Sequence, residues 1–109
     1  MIWNLKFLPE AEAEYLKLDG SVRGQVAKSI LKVRQNPLPS YAGGYGKPLG
    51  NKDGTALSGF LKIKLKSAGL RVVYKLIETD SEMLILVVGV RADAEVYRIA
   101  EERAEKYHL

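Results

Sequence analysis

Apolar and polar positions alternate most strictly in the middle of the chain, over Phe60-Leu61-Lys62-Ile63-Lys64-Leu65-Lys66. A period of two is that of a strand, so Leu61, Ile63 and Leu65 point to one face and Lys62, Lys64 and Lys66 to the other. Ser67-Ala68-Gly69 is turn-length, and Leu70-Arg71-Val72-Val73-Tyr74 resumes the alternation. On that second strand Leu70, Val72, Tyr74 and Leu76 form the expected core face, which leaves Arg71, Val73 and Lys75 on an open face with the three lysines. Thr79-Asp80-Ser81 makes a second short join, so strands over Leu57–Lys66, Leu70–Glu78 and Glu82–Arg91 pair antiparallel. Met83-Leu84-Ile85-Leu86-Val87-Val88 is apolar on both faces and predicts a central or well-covered strand.

The pattern before this region changes period. Ile2 to Phe7 is β-favourable and reads as a first strand. Pro9 suits the first turn of a helix, and Glu10, Glu12 and Glu14 complement its dipole. Ala11, Tyr15 and Leu18 give that helix one apolar face, and Asp19-Gly20 ends it. Ser21 is the expected cap of a second, basic helix bearing Arg23, Lys28, Lys32 and Arg34, with Val22, Val26, Ile30 and Val33 as its apolar stripe. A two-residue join makes the pair an antiparallel hairpin. Pro37 and Pro39 end it, and a long Gly/Pro-rich connection runs from Asn36 to Thr55. Asp93 can cap a last helix from Ala94 to about Tyr107, with Val96, Ala100, Ala104 and Tyr107 on one face. The predicted fold is α+β: one domain, residues 1–109, with an antiparallel sheet of about four strands, an N-terminal helical hairpin and a C-terminal helix.

Composition narrows the classes. A chain of 109 residues can bury roughly 60–70% of its unfolded surface, enough for one core. There is no long apolar run for a transmembrane helix, and the N-terminus lacks the basic-then-apolar pattern of a signal peptide, so a cytoplasmic location is expected. The chain has no cysteine, which excludes disulfides and a thiolate metal site and fits a reducing compartment. A net charge of +4 suits nucleic acid, an acidic protein or an anionic membrane surface equally. Placement says more: Lys62, Lys64, Lys66, Arg71 and Lys75 fall in one stretch without an acid. Three lysines in register repel one another, and a polyanion held along that face would offset the cost. Arg91 ends the third strand and Tyr97 lies one turn into the last helix, so both could join the group around a phosphodiester. The bland alternative is a solvated strand face whose lysines guard an edge. Trp3 and Tyr15 suit the core, and His108 sits near the terminus where fraying is usual.

The run Gly46-Lys47-Pro48-Leu49, then Leu57-Ser58-Gly59-Phe60-Leu61-Lys62-Ile63-Lys64-Leu65, Gly69-Leu70-Arg71-Val72-Val73-Tyr74, Val88-Gly89-Val90-Arg91 and Glu95-Val96-Tyr97 resembles the RelE family of bacterial toxins. The likeness spans nearly the whole chain in the same element order. It implies the toxin of a type II toxin–antitoxin system, a ribosome-dependent endoribonuclease that cuts messenger RNA in the decoding site. The RNA's own 2′-hydroxyl would attack the adjacent phosphate, leaving a 2′,3′-cyclic phosphate and a 5′-hydroxyl. By motif match the catalytic groups are Lys62, Lys64, Arg71, Arg91 and Tyr97, with Lys66 where relatives carry a cation and Lys75 as a further RNA-binding candidate. The implied partners are a cognate antitoxin and mRNA on the 70S ribosome, with 16S rRNA contacts. No membrane, metal or small-molecule cofactor is expected.

No histidine or carboxylate aligns with the cationic motif, so a lysine is the candidate base, although free Lys titrates near ~10.4. Like-charged neighbours and desolvation lower a lysine's pKa, and bound phosphate raises it. Branches of the superfamily that use Glu or His differ from this sequence. Two other readings share its features: a ParE-type toxin that binds DNA gyrase without cutting RNA, and an inactive basic RNA-binding module.

Overall fold

The computed structural model describes residues 3–49, 59–90 and 92–109, without the side chains of Val90 and Asp93. In chain order these form β1 (Asn4–Phe7), α1 (Pro9–Leu16), α2 (Gly20–Arg34), β2 (Lys47–Pro48), β3 (Phe60–Leu65), β4 (Leu70–Ile77), β5 (Glu82–Val90) and α3 (Asp93–Lys106). Short 3-10 turns cover Ser40–Ala42 and Glu78–Asp80. The strands make one five-stranded sheet in the order β1-β5-β4-β3-β2. It is mixed, not wholly antiparallel: β1 runs parallel to β5, with Asn4 opposite Glu82 and Phe7 opposite Ile85. The parallel edge follows from α1 and α2 lying between β1 and the rest, which carry the chain back before the sheet continues. The fifth strand, β2, emerges from the Gly/Pro-rich connection and pairs with Leu61 and Lys62.

The helix signals are kept with shifts of boundary, the first being that α1 ends at Leu16, so Leu18 lies beyond it and packs against the core from the join. Leu8 is the extended residue ahead of α1 and Pro9 opens the helix, where a missing N–H costs nothing. Asp19, not Ser21, is the N-terminal cap residue of α2: its backbone is extended and its carbonyl accepts from Arg23 N at 2.7 Å. Gly20 therefore starts the second helix and does not close the first. Ala92 holds the same position before α3. Val26, Ile30 and Val33 bury the apolar stripe of α2, and Val96, Ala100 and Ala104 that of α3.

The pairing of β3 with β4 sets the two faces of the sheet. Leu61, Ile63 and Leu65 lie opposite Tyr74, Val72 and Leu70, and all six are buried. On that face Tyr74 Oη donates to Pro37 O, just beyond α2, at 2.7 Å. Phe60, Lys62 and Lys64 lie opposite Lys75, Val73 and Arg71 and share the other face. This second face is not open. Tyr97 of α3 meets Lys62 there, and Val73 and Val87 opposite it are 0% exposed. Val73 is thus core, because the last helix roofs the middle of what the alternation alone presents as a solvent face. Every side chain from Met83 to Val88 is buried, as expected for a strand between β1 and β4.

Candidate functional site

The site sits where the lysine face emerges from beneath α3. The antiparallel register sets Lys64 directly opposite Arg71 and Lys62 opposite Val73. Directly opposed cations on neighbouring strands repel, and the pairing survives because the alternating Leu and Ile residues on the reverse face fix the register. Lys62 Nζ donates to Tyr97 Oη at 3.1 Å and lies 5.5 Å from the centre of the same ring. Both groups are partly buried, so the ring is held at the rim of the cationic patch and not free in solvent. Lys64 is exposed and Arg71 partly buried.

Of the residues picked from the motif, Lys62, Lys64, Arg71 and Tyr97 are brought together on this face. Arg91 lies outside the described residues; its neighbour Val90 pairs with Arg71. Lys75 is set apart, with its ammonium 5.1 Å from the centre of the Phe60 ring. Lys66 lies past the end of β3 and faces a different feature. That feature is an open cleft of about 500 Å³, lined by Gln25, Lys28 and Ser29 of α2, Lys47 of β2, and Lys64 to Ser67. It occupies the edge of β3 beyond the reach of β2, where Ser67 Oγ also bonds Gln25 Oε1 at 3.2 Å. Lys28 and Lys47 were not separable from other surface lysines by spacing. Only the fold carries α2 and the two-residue strand to the same edge. His108 is exposed at the far end of α3, while Trp3 and Tyr15 pack against the core.

A second polar cluster holds the helices against β5. Arg103 Nη1 and Nη2 donate to Glu14 Oε1 and Oε2 at 2.9 and 2.8 Å. The same guanidinium donates to Leu86 O at 2.7 Å, and Glu14 Oε1 accepts from Val88 N at 3.1 Å. The carboxylate raises the Arg103 pKa above its ordinary value, since the charged form is the one it bonds. One turn away, Glu10 accepts from Lys106 Nζ at 2.8 Å and Tyr107 Oη at 2.7 Å. These bonds, Lys106 first, pull the Glu10 carboxyl down to about 2. Acidic side chains early in the sequence marked a helix start; their partners lie in the last helix, which sequence spacing does not reveal. Among the described residues no cluster of His, Asp and Glu is placed to hold a metal ion, and no helix is long and apolar enough to cross a membrane.

No protein-family model matches the sequence. Individual relatives do. A RelE-like toxin protein of Escherichia coli is 36% identical over 104 residues, covering 94% of this chain and 98% of the relative. The mRNA interferase toxin RelE of Escherichia coli K12 is 32% identical over 103 residues, with the same coverage. Among solved structures, a free arginine-substituted variant of the E. coli toxin RelE superposes with a TM-score of 0.72 at 32% identity, over 94% of this chain and 98% of that one. The toxin of the intact E. coli RelBE toxin–antitoxin complex superposes with a TM-score of 0.61 at 30% identity, over 80% and 94%. Sequence identity along almost the full length and the shared fold agree, and the chain belongs to the RelE family of toxins.

Proposed function

We propose that this protein is the toxin of a type II toxin–antitoxin pair and a metal-independent endoribonuclease that cleaves messenger RNA on the ribosome. The observation that carries the reading is the convergence of Lys62, Lys64, Arg71 and Tyr97 on one sheet face in a chain of this family. In the reaction the RNA's 2′-oxygen loses its proton and attacks the neighbouring phosphorus. The P–O5′ bond breaks, and the departing 5′-oxygen gains a proton. Cleavage of this kind needs a base, charge stabilisation at phosphorus and an acid. The strand lysines assist deprotonation and bind phosphate. Arg71 and Arg91 hold the scissile phosphate, one of them assisting the leaving oxygen, and Tyr97, fixed by Lys62, stacks on or orients a nucleotide. Lys66 and Lys75 add binding charge, and the cleft beside Lys64 and Lys66 extends the basic surface away from the reacting phosphate. A cognate antitoxin is the proposed protein partner, in line with the RelBE complexes among the similar structures.

The test is a translating extract in which RNA ends are mapped by primer extension. New ends within codons of a translated message are expected. Intact message together with trapped gyrase–DNA complexes would refute the nuclease reading. Removing a transition-state contact costs ~10²–10³ in rate, so Arg71→Ala should lose most single-turnover cleavage at saturating ribosomes while Lys75→Ala keeps it. Equal, modest losses in both, restored by low salt, would make the face a generic RNA-binding surface.

A further inference from the structure

We infer that Glu14 and Arg103 are positioning residues that clamp the bulged end of β5 and hold Tyr97 and the strand end next to Arg71 in working geometry. The inference rests on the proposed nuclease activity and adds residues that touch no substrate. Its starting point is an irregularity in the sheet. Opposite β4, β5 carries two extra residues: Tyr74 pairs with Ile85 and Val73 with Val87, skipping Leu86, while Val72 pairs with Val88 and Arg71 with Val90, skipping Gly89. Gly89 has φ +89°, a conformation that favours glycine. Bulges bend a strand and re-aim its next residues, and they concentrate beside functional sites. They also weaken the ladder that would otherwise hold the strand.

On its other side β5 has little help. The pairing of β1 ends at Ile85, so among the described residues no strand flanks β5 from Leu86 onward on that edge. The clamp acts on this stretch. Arg103 donates to the carbonyl of Leu86, the first skipped residue, at 2.7 Å, and Glu14 accepts from the N–H of Val88, next to the second, at 3.1 Å. Two further bonds of 2.9 and 2.8 Å lock the side chains to each other. They are 15% and 28% exposed, so water competes weakly for these bonds. A single ion pair thus fastens α1, α3 and two peptide groups of β5 at one point. Tyr97 lies about 9 Å along the helix axis from Arg103, by the ~1.5 Å rise per residue. Fixing Arg103 therefore fixes the helix whose other end presents Tyr97 to Lys62. Fixing Leu86 and Val88 fixes the strand that pairs with Arg71 through Val90.

The role is separable from stability because the Oε1 of Gln at position 14 can still accept from Val88 N–H and from Arg103 Nη1, and only the charge and the second bond to Arg103 are lost. Glu14→Ala and Glu14→Gln should both lower the unfolding midpoint. Only Glu14→Ala should lose single-turnover cleavage, by ~10-fold or more at saturating ribosomes and well below its unfolding temperature. Misplacement of about 1 Å can cost up to ~10² in rate. Ring resonances of Tyr97 and the Val88 amide should shift in Glu14→Ala and stay near wild type in Glu14→Gln. Should Glu14→Ala not fold, Arg103→Lys takes its place: it cannot bond Leu86 O and both carboxylate oxygens together, so it should shift the Tyr97 ring and lose rate. Rates that track the unfolding midpoint, with Gln as impaired as Ala, overturn the proposal, as does an unmoved Tyr97 ring in Glu14→Ala or Arg103→Lys. If the wild-type protein cuts no RNA, the nuclease reading fails, and the Tyr97 and Val88 resonances still decide whether the clamp positions them.

Discussion

Gly46 and Tyr74 should be strongly coupled in stability, and the sign of the coupling is set by one oxygen atom. Tyr74 is 0% exposed, and its hydroxyl reaches across to Pro37 O at 2.7 Å. Burial alone pushes its phenol pKa well above the ordinary range, as expected for a group far from water. Tyr74→Phe removes this bond and leaves the carbonyl of buried Pro37 without that donor, which costs about 1–3 kcal/mol. A Cβ added at Gly46 would overlap the Tyr74 hydroxyl, with Tyr74 Cζ and Pro37 O each 3.2 Å away. The backbone there cannot retreat, because Gly46 N donates to Leu38 O at 3.0 Å and its carbonyl accepts from Ser40 N at 2.7 Å. Gly46→Ala must therefore displace the hydroxyl, adding overpacking of about 1–3 kcal/mol to the lost bond. In the Tyr74→Phe background the overlapping atom is gone, and the same alanine should cost no more than about 1 kcal/mol. The cycle predicts a coupling of about 3 kcal/mol, the double variant being more stable than additivity allows. At ~4 °C per kcal/mol for a domain near this size, that is about 12 °C in Tm. Urea unfolding followed by circular dichroism, with unchanged m-values, reads the four stabilities. Additive losses within about 0.5 kcal/mol would refute the claim that the hydroxyl is what excludes a side chain at position 46.

Acid should loosen α3 through Glu10: its pKa falls from an ordinary 4.5 to about 2 on bonding Lys106 and Tyr107, so its contribution is full above pH 4.5 and drains away as pH drops toward 2. The stability difference between wild type and Glu10→Gln should be constant from pH 7 to 5.5 and shrink below pH 4.5; a difference that grows on acidification would reverse the sign argued here. For the basic cleft, replacing Lys28 and Lys47 by Ala should flatten the dependence of single-stranded RNA affinity on salt by about 1.4 log units per log unit, at ~0.7 per lost phosphate contact. An unchanged slope would show that RNA does not enter the cleft.

Much of the architecture was legible because period and burial agree. The two-residue alternation of Leu61, Ile63 and Leu65 matches the register of β3, and the doubly apolar run from Met83 to Val88 marked an interior, well-covered strand. Lys62, Lys64, Arg71 and Tyr97 were legible as a motif, and the register and the Lys62–Tyr97 bond bring them together. What local pattern could not carry was anything decided by distant packing. Val73 alternates as a solvent-facing residue and is core only because α3 crosses above it. The edge strand β2 has two residues, too few for a periodic signal, and so spacing could not place Lys47 beside the lysines of β3. The bulges at Leu86 and Gly89 break the period of two without any change in hydrophobicity.

The order of strands also has a consequence in time. Residue 4 pairs with residue 82, and the strand that begins there is the one on which both β1 and β4 depend. A chain emerging from its N-terminus can close the β3–β4 hairpin from local contacts, but β1 must wait unpaired until β5 has been made. Tyr97 follows later still, on a helix whose fastenings, Glu10 and Glu14, precede it in the chain and are synthesised well before it. An unfinished polypeptide is therefore a basic hairpin without its tyrosine. For a member of a toxin family, late closure of the sheet delays the full lysine–arginine–tyrosine arrangement until nearly all of these residues have been synthesised.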